Sequence, residues 1–220
     1  MGNFTSVEFH TAVHGKEKYS QAFERLYRVL VQPKYRILLM SCYFVLVPGT
    51  GDATLCNQLM PTQPLLKEFS ANIRDRMATY LGDDTKFITM TNPCRIRHLT
   101  RRMVFCRSDV LNKLLSTSIL TSGTDYKIAT PAELKEMLIN TLLGQGHLCP
   151  NKPGVHSVLK HDAALLLYPH PDLVCIADLS CPSFISSVDS TTICNVESFS
   201  KNRSFISYDV ISGKAQKLAL

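Results

Sequence analysis

The stretch Phe87-Ile88-Thr89-Met90-Thr91-Asn92-Pro93-Cys94-Arg95 joins an apolar run to a turn that a β-strand cannot continue. Proline lacks an N–H group and restricts the residue before it to extended backbone, so the strand must leave its sheet at Asn92. An asparagine side chain can hydrogen-bond nearby backbone and fix such a turn. The stretch therefore predicts a strand that ends in an ordered loop, the position where α/β proteins carry functional residues.

Two other blocks of the sequence have a similar arrangement. The apolar run 44–47 ends in Pro48-Gly49, and Asp52 follows after three residues. The block 145–150, Gln-Gly-His-Leu-Cys-Pro, follows a predicted helix and carries His147. Each block places polar residues in a loop directly after a regular element. The loop 48–64 is rich in Pro, Gly, Thr and Asn and is expected to be exposed.

Hydrophobic periodicity predicts the remaining elements. Apolar residues at three- and four-residue steps predict helices over 16–31 and 65–81, and Thr130-Pro131-Ala132-Glu133 is typical of the start of a third helix that ends near Leu143. Ser108 is the expected N-cap of a helix through Leu115. Predicted strands are 37–47, 87–91, 95–99, 102–106, 173–177, 193–196 and 204–208, the last two as a pair.

The order of these elements predicts the fold class. Strands and helices alternate early and strands dominate later, which is typical of an α/β sandwich rather than a purely parallel sheet. No internal repeat or low-complexity linker is present, so the sequence predicts a single domain over 1–220. Residues 35–47 are the most apolar stretch, and they are too few to span a bilayer.

Composition and charge narrow the functional classes. Of 220 residues, 45% are hydrophobic and 19% are charged, which excludes a disordered chain. The eight cysteines contain no CxxC pair, so neither a structural zinc site nor another cofactor is predicted, and free thiols in a reducing compartment are expected. The net charge of +6 permits nucleic-acid contact. The arginines at 95, 97, 101, 102 and 107 could reach phosphates or could keep an edge strand soluble.

The first residues match an acylation pattern. Met1-Gly2-Asn3-Phe4-Thr5-Ser6 has glycine second and serine sixth, as N-myristoylation requires. A single acyl chain binds membranes only marginally, and no polybasic cluster follows to reinforce it. A lipid-anchored adaptor is therefore one alternative that the sequence leaves open.

Taken in order, these blocks resemble the C-terminal half of the B subunit of eukaryotic DNA polymerase epsilon, a member of the alpha, delta and epsilon B-subunit family. The matching motifs are Gly2–Ser6, Val47-Pro48-Gly49, Thr91–Ile96, Gln145–Pro150 and Tyr168–Leu173 with Ala177-Asp178. The resemblance implies the C-terminal part of a calcineurin-like phosphoesterase sandwich. It also implies that the OB domain and the N-terminal helical domain of the family are absent, and that Gly2 belongs to an internal turn.

The resemblance implies an inactivated site. Calcineurin-like enzymes hold two metals with Asp, His and Asn ligands and use them to activate water. Here Asn3 keeps its place, but Phe4 stands where the family of enzymes has a polar residue, and phenylalanine can neither bind metal nor move a proton. Asp52 and His147 are expected to be isolated polar groups, His147 as a loop anchor. We therefore expect no catalysis and no metal.

The resemblance also implies a role and partners. B subunits of this family are non-catalytic scaffolds in the nucleus that hold the C-terminal module of the polymerase catalytic subunit and link it to replicative helicase components. Candidate partner contacts are Pro48, Gly49, Asn92, Pro93, Arg95, Pro169 and Asp172. Contact with DNA is expected to be indirect or weak, through Arg97, Arg101 and Arg102, and no membrane contact is expected. The open alternatives are a basic nucleic-acid-binding module and the acylated adaptor.

Overall fold

A computed structural model describes residues 1–5, 8–55, 59–117, 130–149 and 158–220. These residues form two compact units, 1–92 and 93–220. Ser6 of the acylation pattern and Pro150 of the Gln145–Pro150 motif lie outside the described residues. The prediction of a single domain stays a prediction.

The first unit contains three helices and two short parallel strands. In chain order they are α1 (Gly15–Leu30), α2 (Arg36–Ser41), β1 (Phe44–Leu46), α3 (Lys67–Leu81) and β2 (Phe87–Thr89). β1 and β2 pair in parallel, with Phe44 opposite Phe87. One-turn 3₁₀ helices precede α2 at Pro33–Tyr35 and β2 at Asp84–Lys86. The predicted helices 16–31 and 65–81 are thus confirmed to within two residues.

The core of this unit is aromatic and lies between α1 and α3. Tyr19 and Phe23 of α1 stack with ring centroids 5.1 Å apart, and the Tyr19 ring meets Phe69 of α3 edge-on at 5.0 Å. Ile73 and Met77 continue the buried face of α3. Each such side chain stabilises the fold by about 1.5–3 kcal/mol when fully buried. The periodic stripe read from the sequence is therefore the face that packs.

The predicted strand over 37–47 is wrong in its first half. Residues Arg36–Ser41 form α2, and only Phe44–Leu46 are extended. Leu39 is buried, but Ile37 is 85% exposed. Pro33 begins the preceding 3₁₀ turn, where its fixed φ suits a helical start. A continuous apolar run carries no periodicity that separates helix from strand, so the error arises from the pattern itself.

The second unit is built on a five-stranded mixed sheet. Its strands are β3 (Cys94–His98), β4 (Arg101–Cys106), β5 (Leu173–Ile176), β6 (Phe184–Val188) and β7 (Thr191–Asn195), in the order β3-β4-β5-β7-β6. The inner strands β4, β5 and β7 are parallel, and the two edge strands are antiparallel to their neighbours. All residues of β5 and β7 are buried, as expected for inner strands.

Two helices of this unit begin at different kinds of cap. α5 (Pro131–Gln145) has the predicted capping box, in which Thr130 and Glu133 bond reciprocally, and Gly146 ends it at φ 61°. α4 (Val110–Thr117) begins two residues after Ser108, so the expected serine cap is wrong. Instead, the Leu111 N–H donates to the Asp178 carboxylate at 2.8 Å. A cap 67 residues away in the chain leaves no local signal.

The C-terminal strands pair differently from the prediction. β7, expected to pair with the strand near 204–208, lies between β5 and β6. After α6 (Phe199–Asn202), β8 (Ser204–Asp209) pairs with β9 (Lys214–Ala219). The α/β class with sheets and flanking helices is confirmed. Within the described residues, no helix has the length and apolar character needed to cross a membrane.

Candidate functional site

The turn Gly2–Phe4 lies directly against the loop after β1. The Gly2 N–H donates to the Val47 carbonyl at 2.8 Å. A Cβ atom at Gly2 would lie 1.8 Å from Asp52 Oδ2 and 2.6 Å from the Gly49 backbone nitrogen. No side chain fits there, so glycine is required by the close approach of the two segments.

Asp52 is the centre of this contact. Its side chain is fully buried and accepts hydrogen bonds from the Gly49 N–H at 2.7 Å, the Phe4 N–H at 2.8 Å and the Tyr19 hydroxyl at 3.3 Å. Burial raises the pKa of the Asp52 carboxyl, while these donors act in the opposite direction. The expectation that Asp52 is isolated is therefore wrong, since its oxygens tie together three segments of the unit.

Asn3 and Phe4 have different surroundings. Asn3 is exposed, and its amide oxygen stands 2.0 Å from the position that a Cβ on Gly49 would take. The Phe4 ring is half-buried and meets Phe23 edge-on, with 5.7 Å between the centroids. Phe4 therefore extends the aromatic core.

These residues do not fit the two-metal centre of calcineurin-like enzymes. Both oxygens of Asp52 already accept hydrogen bonds from the fold, and Phe4 offers no ligand atom. Across the described ranges, no group of three or more His, Cys, Asp or Glu residues could hold a metal ion. The donor set that this chemistry needs is not assembled by the part of the chain that the structure describes.

Asn92 lies at the strand exit that the sequence predicted. β2 ends at Thr89, and the fully buried Asn92 exchanges two backbone hydrogen bonds with Thr62, at 2.6 and 3.0 Å. Pro93 is buried as well. The Asn92-Pro93 turn is thus held to the loop before α3 by its backbone, which is sufficient reason for its composition.

Arg95, His147 and the segment before Tyr168 meet in the second unit. The Arg95 guanidinium donates to the carbonyl oxygens of Ala164, at 3.2 Å, and Leu166. The Leu148 N–H donates to the Leu165 carbonyl at 2.9 Å. Two motifs that are far apart in the sequence therefore fasten the same backbone segment.

His147 is an anchor of its loop. Its Nδ1 accepts the Cys149 N–H at 3.0 Å, so the proton of the neutral ring is on Nε2, which faces Asp162 Oδ1 at 3.2 Å. This agrees with the loop-anchor interpretation and shows that His147 is not isolated. Asp162 was missed because nothing in the sequence relates it to a histidine 15 residues earlier.

Asp172 joins the start of β4 to the hairpin of β8 and β9. Its carboxylate accepts the Arg102 N–H at 2.8 Å and the Arg101 guanidinium at 2.9 Å. These two interactions, the backbone one first, hold the pKa of Asp172 below its ordinary value. Arg101 also donates to the Val210 carbonyl at 3.2 Å. Pro169 lies nearby in the chain and is exposed.

The arginines proposed for nucleic-acid contact are unequally accessible. Arg107 is 2% exposed and donates to Asp109 and to the Ala177 carbonyl. Arg101 and Arg95 are bound to the fold as described above. Arg97 and Arg102 are paired across β3 and β4, and the Arg102 side chain is exposed. The burial of Arg107 and the hydrogen bonds of Arg95 and Arg101 to the fold thus reduce the basic surface that the sequence indicates.

A further polar cluster lies at the ends of β5 and β7, and the sequence indicated only one of its two residues, Asp178. The Asn195 side chain accepts the Asp178 N–H at 2.9 Å and donates to the carbonyls of Cys181 and Pro182, at 2.8 and 3.1 Å. Asp178 belongs to the Ala177-Asp178 match of the resemblance. Asn195 was missed because it is one polar residue at the end of an apolar run, a signal that many strand ends share.

Comparison with known proteins gives a consistent family. The model of the DNA polymerase alpha/epsilon B-subunit family matches residues 1–186. DNA polymerase epsilon subunit 2 of Drosophila melanogaster is 31% identical over 72% of this chain and 28% of its own length. The Mus musculus protein of the same name is 29% identical over 87% and 33%, and the DNA polymerase epsilon B subunit of Arabidopsis thaliana is 27% identical over 94% and 37%.

The chain spans about a third of the length of these relatives, between 28% and 37%. Among solved structures, TT1561 of Thermus thermophilus covers 99% of this chain and 83% of its own, with a TM-score of 0.40 and 13% identity, a similarity too low to assign a fold. The family model matches far more than half of the residues. The chain belongs to the DNA polymerase alpha/epsilon B-subunit family.

Proposed function

We propose that this chain acts as a non-catalytic accessory subunit of DNA polymerase epsilon in nuclear DNA replication. The family match over residues 1–186 supports an accessory role, and the relatives named above are second subunits of that polymerase. The scaffold would hold the C-terminal module of the catalytic subunit and connect it with components of the replicative helicase. DNA contact is indirect or weak in this proposal.

The observation that carries the non-catalytic role is the environment of Asp52. A catalytic carboxylate of a metallophosphoesterase must present its oxygens to metal ions. Here the same type of group accepts the N–H groups of Gly49 and Phe4 and the hydroxyl of Tyr19, inside an aromatic core. In this proposal, residues that correspond to an ancestral phosphoesterase site now hold segments of the fold together.

The proposed partner contacts are the loops that carry the family motifs. Their candidate residues are Pro48, Gly49, Asn92, Pro93, Arg95, Pro169 and Asp172. Arg95 and Pro169 are exposed, whereas Pro48, Gly49, Asn92 and Pro93 are buried and would shape their loops for a partner. The bridge from Asn92 to Thr62 and the bonds of Asp172 to β4 support this proposal, because a loop that is already ordered loses little entropy on binding. Tyr168, which is 82% exposed beside Pro169, offers a large accessible side chain to a partner.

Co-purification tests the scaffold. The chain is co-expressed with the tagged C-terminal module of the polymerase epsilon catalytic subunit, and capture of an equimolar complex is expected. Tyr168→Ala should weaken capture. Ile211→Ala, at an 85% exposed side chain in the β8–β9 turn, is the matched control and should not. If neither this chain nor a longer B subunit is captured, the scaffold role is refuted.

A phosphodiesterase assay tests the absence of catalysis. Purified protein is incubated with bis-p-nitrophenyl phosphate and added manganese, and no hydrolysis above the protein-free rate is expected. Phe4→Ala serves as the comparison, since removing the ring opens the place that a polar residue would take. Hydrolysis by the wild-type protein that this variant alters would contradict the proposal.

The two alternatives have weaker support. For a nucleic-acid-binding module, the Arg102 side chain is exposed, and Arg97 donates to the nearby Leu99 carbonyl at 3.4 Å. Steep salt dependence of oligonucleotide binding would be the signature of this module. For an acylated adaptor, the support is the sequence pattern at Gly2 alone, where an acyl group would take the place of Met1 on the backbone nitrogen. Mass spectrometry of the native N-terminus tests the second alternative directly.

A further inference from the structure

The first unit has an open cleft between α1, α2 and α3 that the motifs do not include. Its lining consists of two arginines, two tyrosines and a threonine, and its volume is about 430 Å³. Arg76, Thr79 and Tyr80 lie within little more than one turn of α3, Tyr27 belongs to α1, and Arg36 is the first residue of α2.

The tyrosines of the cleft hold the arginines in place. The Arg76 guanidinium lies 3.7 Å from the centroid of the Tyr27 ring, and that of Arg36 lies 5.7 Å from the centroid of the Tyr80 ring. Stacking on an aromatic face leaves the N–H groups at the guanidinium edge available for hydrogen bonds. Such an arrangement is suited to carboxylate recognition, because the planar donors are oriented before a ligand arrives.

The charge of the cleft is not balanced by the fold. Glu24 accepts hydrogen bonds from both Arg76 and Arg28, so a single carboxylate serves two guanidinium groups. Arg36 forms none of the ion pairs found among the described residues, and its side chain is exposed. The lining therefore has an excess of positive charge that an acidic group would complement.

Exposed apolar side chains of α2 lie near the same arginine. Ile37 is 85% exposed and Met40 55%, whereas Leu38, 57% exposed, lies on the opposite side of the helix from Arg36. Met40 lies one helical turn after Arg36 and shares its face. Exposed aliphatic side chains next to a cationic cleft match a ligand in which acidic and aliphatic residues are close together.

We infer that the cleft of Tyr27, Arg36, Arg76, Thr79 and Tyr80 is a docking site for an acidic, aliphatic-rich segment of a partner protein. A carboxylate of that segment binds between Arg36 and Arg76, and its aliphatic neighbours cover Ile37 and Met40. This site is separate from the loops assigned to the scaffold role, so the two can be tested apart.

Peptide binding to the full chain tests this site. The probe is a short fluorescent peptide of alternating glutamate and leucine, measured by anisotropy at low and high salt. Binding that weakens with salt is expected for an exposed charged site. Arg36→Glu should lower the affinity by about tenfold or more. A peptide of alternating lysine and leucine should bind this variant better than it binds the wild-type protein.

The controls separate the site from general charge effects. Arg74→Glu changes a solvent-exposed arginine of α3 that pairs with Asp75 and lies outside the cleft, and the affinity should stay within about twofold. Met40→Ser should weaken binding without changing its salt dependence. Thermal unfolding confirms that each variant folds.

Three results would overturn the inference. They are failure of the acidic peptide to bind at low salt, equal affinity of the wild-type protein and Arg36→Glu, and displacement of the peptide by a single-stranded oligonucleotide at lower concentration than by unlabelled peptide. The last result would assign the cleft to phosphate groups. None of these measurements involves the catalytic subunit, so they are independent of the co-purification outcome.

Discussion

Asp52 and Asp172 are both candidate residues from the sequence, yet their surroundings in the two units are opposite. Asp52 is fully buried, and its partners are neutral donors: two backbone N–H groups and a tyrosine hydroxyl. Asp172 pairs with the Arg101 guanidinium as well as a backbone N–H, and its side chain is partly exposed. Burial raises the pKa of the first carboxyl, and hydrogen bonds lower that of the second.

The difference shows what each acid contributes. A buried carboxyl with neutral donors is costly as an anion and is retained for the segments that it joins. A partly exposed carboxylate beside a guanidinium is stable in its ionised form, but solvent reduces the contribution of its ion pair to the unfolding free energy. The stability of the first unit should therefore depend far more on Asp52 than the stability of the second unit depends on Asp172.

Asp52→Ala should have the largest effect. The change leaves the Gly49 and Phe4 N–H groups and the Tyr19 hydroxyl without their acceptor in a buried region, which costs about 3 kcal/mol or more of unfolding free energy. Urea unfolding followed by circular dichroism measures it. A loss no larger than that of Asp172→Ala would contradict the proposed contrast between the two units.

Gly2→Ala should have the next largest effect. The added Cβ would stand 1.8 Å from Asp52 Oδ2 and 2.6 Å from the Gly49 nitrogen, so the two segments must separate, at about 2 kcal/mol. Gly144→Ala in α5 is the matched control. Apart from neighbouring residues of its own helix, nothing in the described structure lies within 4 Å of the new Cβ, and alanine favours helix, so the protein should gain up to about 1 kcal/mol. Equal losses would rule out the steric explanation.

Asp172→Ala should have a smaller effect, about 1 kcal/mol. The Arg102 N–H and the Arg101 side chain lose an acceptor but can donate hydrogen bonds to water instead, since both groups are partly exposed. Hydrogen exchange should locate the change at the start of β4 and in the β8–β9 turn, where Arg101 bonds the Val210 carbonyl. Protection that is lost evenly over the whole sheet would argue against a local fastening.

The pH dependence should distinguish the two aspartates by sign. The pKa of Asp52 is raised by folding, so its protonation contributes stability that is fully present below the unfolded pKa and lost as pH rises through the folded pKa. The pKa of Asp172 is lowered, so its contribution is present above the unfolded pKa and lost as pH falls through the folded pKa. The difference in unfolding free energy between the wild type and each alanine variant is measured across acidic pH. This difference should fall with rising pH for Asp52→Ala and rise with rising pH for Asp172→Ala.

The sequence predicted the elements whose signals are local. The stripe on α3 and the capping box of Thr130 and Glu133 appear in the structure where they were expected, because each depends on residues three or four positions apart. The run 37–47 failed because uniform hydrophobicity has no period. The pairing of β7 with β5 and β6, instead of with a later strand, is a long-range choice that no local pattern encodes.

The candidate residues show the same contrast between local signals, which the sequence contains, and long-range contacts, which it does not reveal. Asp52 and Asp172 could be selected from their motifs, but their partners, Tyr19 and Arg101, lie 33 and 71 residues away. Asp162 beside His147 and Asn195 beside Asp178 likewise depend on contacts that only the fold creates. Polar residue types and loop positions are therefore readable in this chain, whereas the network that defines their role is not.

The position of β5 in the sheet has a consequence for synthesis of the protein on the ribosome. β4 ends at Cys106, and its parallel neighbour β5 begins only at Leu173. Until that strand is translated, the hairpin of β3 and β4 presents an unpaired apolar edge, and closing so long a loop is slow. A nascent chain of this protein should therefore engage chaperones during translation of the crossover, and slowing translation there should increase its aggregation.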